Sequence, residues 1–103
     1  MDATRQLFKA INRNDLQLVQ QSVLEGAWLE ATRDGLTPIH FAVITRHFPI
    51  VKFLLEAGSD ITICNNTGQN AKDLARECYQ DDMLNLFQEW EDKANDIKDP
   101  GYD

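Results

Sequence analysis

Basic charge is what this chain has too little of: ten Lys and Arg stand against 17 Asp and Glu, a net charge of −7. Phosphate contacts need clustered cations, so the balance argues against a nucleic-acid partner. Acidity can steer a basic partner or simply keep a chain in solution, and solubility is the plainer account. Long apolar runs are also missing. No stretch approaches the ~20 residues that span a bilayer, so no membrane association is expected. The opening residues, MDATRQLFKA, lack the basic start and apolar core of a secretory signal, which points to a cytoplasmic or nuclear location. Two cysteines, Cys64 and Cys78, decide little about compartment. Absent too are G-x-x-x-x-G-K-[ST], H-E-x-x-H, C-x-x-C and the EF-hand loop. No cofactor or metal is therefore expected.

What is present reads as an ordinary globular domain with a modest core, 43% hydrophobic and 26% charged over 103 residues. The most informative stretch is Gly35 to Asp60, GLTPIHFAVITRHFPIVKFLLEAGSD. Thr37 can cap a helix with its hydroxyl, and Pro38 suits the first helical position, where a missing N–H is not needed. Ile39, Ala42 and Val43 follow at helical spacing. Arg46 and His47 interrupt the run, and Pro49 can start a second helix. On it Ile50, Val51, Leu54 and Leu55 repeat at helical spacing, and Gly58 supplies a left-handed stop.

That unit recurs. Gly35 to Gly68 and Ala42 to Ala75 are each 33 residues apart; Ala10 to Ala42, Val19 to Val51 and Gly26 to Gly58 are each 32. Independent positions sharing one period predict stacked repeats. Gly35-Leu36-Thr37-Pro38-Ile39-His40-Phe41-Ala42 resembles the ankyrin-repeat pattern, T-P-L-H-x-A after a glycine. Val51 through Asp60 is similar to that repeat's second helix and exit. The resemblance covers most of one repeat. It implies an all-α solenoid of about three helix-turn-helix units joined by β-hairpin-like loops, and a role in protein–protein interaction.

On this reading an ankyrin-repeat domain fills residues 1–92, as units 3–34, 35–67 and 68–92, and an acidic tail follows at 93–103. In the first unit Leu7, Ala10 and Ile11 form one apolar face, and Leu16, Val19, Val23 and Leu24 the other. Ser22 stands where the middle unit has Leu54, a dilution expected of a terminal repeat that faces water on one side. The connection from Gly26 to Gly35 is one residue shorter than that from Gly58 to Gly68, which predicts an altered first hairpin tip. In the third unit Asn70-Ala71-Lys72-Asp73-Leu74-Ala75 replaces T-P-L-H-x-A. Lys72 is expected to weaken its first helix and Asn70 to cap it. Met83, Leu84, Phe87 and Trp90 supply the second helix's buried side, with Trp90 sealing the open end. The tail is expected to fray and then to move freely. Cys64 falls in a hairpin connection and Cys78 near the end of a helix, a separation that favours two reduced thiols.

The resemblance also implies a concave binding surface made of hairpin tips and the outer side of each first helix. Its candidate residues are Arg33, Asp34, Leu36, Phe41, Ile44 and Thr45 in the middle unit. The third unit adds Asn66, Thr67, Gln69, Leu74, Glu77 and Cys78, and the first adds Lys9, Asn12 and Arg13. Leu36, Phe41 and Ile44 are apolar where stacking does not require it, and such a patch marks a partner site. Alternatively Phe41 packs under a neighbouring helix and Leu36 folds beneath the hairpin. Trp28 is either a packing wedge or an exposed anchor, and the second reading is preferred.

Chemistry has less support. The resemblance gives His40 a structural place, bonding the turn and fixing neighbouring repeats, and His47 lies in the inter-helix turn. A Cys/His-dependent hydrolase built on Cys64 or Cys78 would need thiol and imidazole in hydrogen-bond reach, and no spacing suggests it. Clusters such as Asp81-Asp82 and Glu89-Glu91-Asp92 read as solvated faces. The expectation is a non-catalytic monomer that binds one protein partner, as an inhibitor or protective binder, or alternatively as an adaptor joining two proteins.

Overall fold

The computed structural model describes residues 2–78 and 80–98, with side chains through residue 93. Six helices follow one another: α1 (Ala3–Asn12), α2 (Leu16–Leu24), α3 (Pro38–Ile44), α4 (Phe48–Glu56), α5 (Ala71–Glu77) and α6 (Asp81–Lys98). Each odd helix packs on the even helix after it. The odd helices α1, α3 and α5 then contact one another in a row, and α2, α4 and α6 form a second row behind them. This is the stacked arrangement that the 32- and 33-residue spacings predict.

The same local bonds recur in each unit. A tight turn joins the helices of a pair, closed by Asp15 N–H to Ala10 O (2.9 Å), His47 N–H to Ala42 O (3.0 Å) and Gln80 N–H to Ala75 O (2.9 Å). Two of these turns place a residue in the left-handed region, Asn14 at φ 55° and Arg46 at φ 62°. From there Arg46 donates to the Cys78 carbonyl at 3.1 Å, and the buried Gln80 amide donates to Val43 O at 2.7 Å. Those two bonds tie the second unit to the third.

The core runs continuously through all three units, from Leu7 and Ile11 through Ile39, Val51 and Leu54 to Leu74 and Phe87. Ser22 is fully buried where a leucine would otherwise sit, and its hydroxyl is satisfied: it donates to Leu18 O at 2.7 Å and accepts from Gln6 Nε2 at 2.9 Å. Lys72 reaches across to α6 and pairs with Glu91 at 2.8 Å, so the charge meets a partner instead of the core. Asn70 caps α5 as expected. Its Oδ1 accepts the Asp73 N–H at 2.8 Å while Asp73 accepts the Asn70 N–H at 3.2 Å, a reciprocal box.

One expectation needs correction. Leu24 was placed on the buried face of α2 but is 83% exposed. Its equivalent in the middle unit, 32 residues on, is Glu56, which is also exposed, so the repeat register puts this position outside. Helix α6 runs past residue 92 through Lys98. Gln88 and Asp92 bond across one turn at 3.3 Å. Residues 99–103 of the expected tail lie outside the described residues.

The hairpin tips account for the one-residue difference in period. In the first, Arg33 and Leu36 exchange both backbone hydrogen bonds (2.9 and 3.0 Å). Between them Asp34 and Gly35 have φ 55° and 80°, the two-residue turn that favours Asp-Gly. In the second, Asn65 bonds Gln69 O at 2.8 Å across a three-residue loop. The tips abut: a Cβ on Gly35 would lie 2.4 Å from Asn66 Cγ. Gly35→Ala is therefore expected to cost about 1–2 kcal/mol from left-handed strain alone, read as a lowered urea midpoint. Adding Asn66→Ala should return only the contact share.

Candidate partner-binding surface

The candidate surface is built on the row of odd helices, whose outer sides no other helix covers. On α3, Ile44 projects with 43% of its surface exposed. Phe41, one turn earlier, is half-buried, because its ring stands edge-on to Phe8 of α1 with centroids 5.4 Å apart. The Arg33 guanidinium lies over the Phe8 ring, 5.4 Å from its centroid. Arg33, Phe8 and Phe41 thus form one seam from the first hairpin tip across α1 to α3. Phe8 escaped notice in the sequence. The available signal was its register, 32 residues before His40.

The remaining candidates divide by what already occupies them. Thr45 turns its hydroxyl back to Phe41 O at 2.7 Å, and Leu36 is half-buried. Leu74 is buried and Cys78 half-buried. Thr67 and Gln69 are turned into their own loop, where Thr67 donates to Gln69 Oε1 at 3.0 Å and Asn65 Oδ1 accepts the Gln69 N–H at 2.9 Å. Asp34, Asn66, Glu77, Lys9, Asn12 and Arg13 are exposed. Trp28 is 63% exposed and held at its backbone, whose N–H donates to Thr4 Oγ1 at 2.9 Å. Like Leu24, it is an exposed apolar residue of the first unit.

Comparison with known proteins agrees with this geometry. Residues 29–75 match the family described as "Ankyrin repeats (many copies)". That match supports placing the chain in the ankyrin-repeat family. An Arabidopsis thaliana potassium channel, AKT1, is 32% identical over 81 residues, which is 78% of this chain and 10% of that protein. The chain thus spans about a tenth of the curated relative it matches. Ankyrin repeats generally mediate protein–protein interaction, and that coarse role applies here.

In this ankyrin stack His40 does what the T-P-x-H position implies. Its Nδ1 accepts the Thr37 N–H at 3.0 Å, closing the box at the start of α3. Its Nε2 lies 3.1 Å from Gln69 O in the next hairpin. A carbonyl can only accept, so Nε2 carries the proton and Nδ1 is bare: the ring is neutral. Burial pushes its pKa below the ordinary 6.5, and the bond to Gln69 offsets this only in part. Asp60 stays below the usual carboxylate range because the Thr62 hydroxyl (2.6 Å) and N–H (2.9 Å) both donate to it. These groups are engaged in holding loops. No helix among the described residues is long and apolar enough to cross a membrane.

Proposed function

We propose that this chain is a non-catalytic binding module that docks one protein partner on its concave face and hairpin tips, occluding that partner as an inhibitor or protective binder. The observation that carries the reading is Ile44. It leaves an apolar side chain on the outer face of α3, beside the half-buried Phe41, at a place where the stack has no use for it. Three units make a short concave face, which suits one partner. The module works as a monomer in the cytoplasm or nucleus, without nucleic acid, membrane, metal or cofactor. Trp28, Arg33, Asp34, Leu36, Phe41, Ile44, Thr45, Asn66, Thr67, Gln69 and Glu77 are its contact candidates. Of these, Trp28, Arg33, Asp34, Ile44, Asn66, Thr67 and Glu77 are exposed.

Leu24 and Trp28 favour a second reading, an adaptor that joins two proteins, because they expose further apolar surface in the first unit. The hydrolase alternative finds less support. Both nitrogens of His40 are engaged, and the close polar neighbour of Cys64 Sγ is a carbonyl, Thr62 O at 3.8 Å. Ile44→Asp tests the docking face. It is expected to leave the circular dichroism spectrum and melting midpoint unchanged while reducing capture of the partner from lysate at least tenfold. Trp28→Ala should reduce capture of a second protein only if the adaptor reading holds. Full capture by folded Ile44→Asp would reject the concave face.

A further inference from the structure

We infer that the partner segment is acidic: extended chain with an Asp or Glu about three residues from an apolar side chain. This rests on the concave face being the binding surface and adds the chemistry of what lies there. Charge is segregated along the chain. Residues 1–52 carry six Lys and Arg against five Asp and Glu, net +1, whereas residues 53–103 carry four against twelve, net −8. The concave face reproduces this gradient. Its equivalent exposed positions are Asn12 on α1, Ile44 on α3 and Glu77 on α5.

Around Asn12 the face is cationic. Arg5, Lys9 and Arg13 follow at four-residue spacing, share one side of α1 and are all exposed. Arg33 overhangs the same region from the hairpin tip, its guanidinium positioned on the Phe8 ring. Ion pairs among the described residues join Lys72 to Glu91 and Arg76 to Asp73, both in the third unit. None engages Arg5, Lys9, Arg13 or Arg33. Asp34 is the carboxylate next to Arg33, and it too is exposed on the tip and outside those pairs.

Four cations without carboxylate partners, one already held in place by an aromatic ring, form a receptor for carboxylates in a protein that is otherwise strongly acidic. Beside them Ile44 and Phe41 receive an apolar side chain. Glu77 beyond repels a second acidic group and so sets the direction of the segment. Packed helices lie roughly 8–10 Å apart, and about three residues of extended chain cover that distance. The acidic and apolar residues of the partner are therefore spaced by about three.

Selection of a phage-displayed library of random linear peptides on the purified chain tests this, followed by fluorescence anisotropy with the enriched peptides. The expected result is enrichment of Asp or Glu about three residues from Leu, Ile, Phe or Trp. Affinity should fall at least about tenfold in Lys9→Glu/Arg13→Glu and weaken with salt, with no change in Lys52→Glu on the opposite row. Enriched peptides without acidic residues that still depend on Ile44 would overturn the acidic partner and leave the docking face standing. Peptides indifferent to Lys9, Arg13 and Ile44 alike would overturn both. Failure to enrich any peptide would overturn the linear segment.

Discussion

Leu54→Ala is expected to lower the stability of the whole domain by about 2–5 kcal/mol. Leu54 is fully buried on α4, at the centre of the apolar column that links all three units. Removing its branch leaves a cavity that rigid neighbours on both sides cannot close. Small domains have only ~5–15 kcal/mol in total, and no unit of a solenoid has a core of its own. The loss is therefore shared by every unit, and urea unfolding should shift to a lower midpoint as one transition of unchanged slope. Leu24→Ala provides the contrast. The same chemical change at a residue 83% exposed should alter stability by no more than about 0.5 kcal/mol. Equal effects at the two leucines, or a biphasic transition in Leu54→Ala, would contradict a continuous core.

His40→Phe should cost about 1–3 kcal/mol near pH 8, because it keeps a ring but leaves the Thr37 N–H without its acceptor. The first unit already carries Phe8 at the equivalent position, so the substitution is not foreign to the fold. The more telling effect is on pH dependence. The folded-state pKa of His40 is lowered from 6.5 by burial, so between the folded and unfolded values the unfolded chain binds more protons. The contribution of His40 is thus complete above about 6.5 and is lost as pH falls through the folded value. Protonation would also put a donor at Nδ1 facing the Thr37 N–H. Urea midpoints of wild type and His40→Phe, compared from pH 8 downward, should converge as the solution becomes acidic. A constant gap across that range would contradict the neutral, Nε2-protonated imidazole.

Much of the fold was legible because its determinants are local. Thr37-Pro38 and Asn70 announce helix starts through their own hydrogen-bonding needs, and Gly26 and Gly58 stop helices with φ near 100°. The missing residue between Gly26 and Gly35 was visible as a count, and the structure turns it into an Asp-Gly turn in place of a three-residue loop. The candidate surface was only half legible. Helical spacing identifies the side on which Phe41 lies, but not that Phe8 of another unit has claimed its edge. Leu24 failed for the opposite reason: it has an apolar identity at a position that the repeat register turns outward.

By itself the sequence determined the number of units, their period, and the helix starts at Thr37 and Asn70, while the place of His40 was what the ankyrin resemblance implied. These follow from bonds within one unit or from positions that every unit repeats. Only the tertiary structure decided which side chains stand together: Arg33 on Phe8, and Phe8 against Phe41. Such neighbours are 25 and 33 residues apart in the chain. They meet because helices stack at a distance and rotation that the packing of whole units, and no single residue's preference, sets.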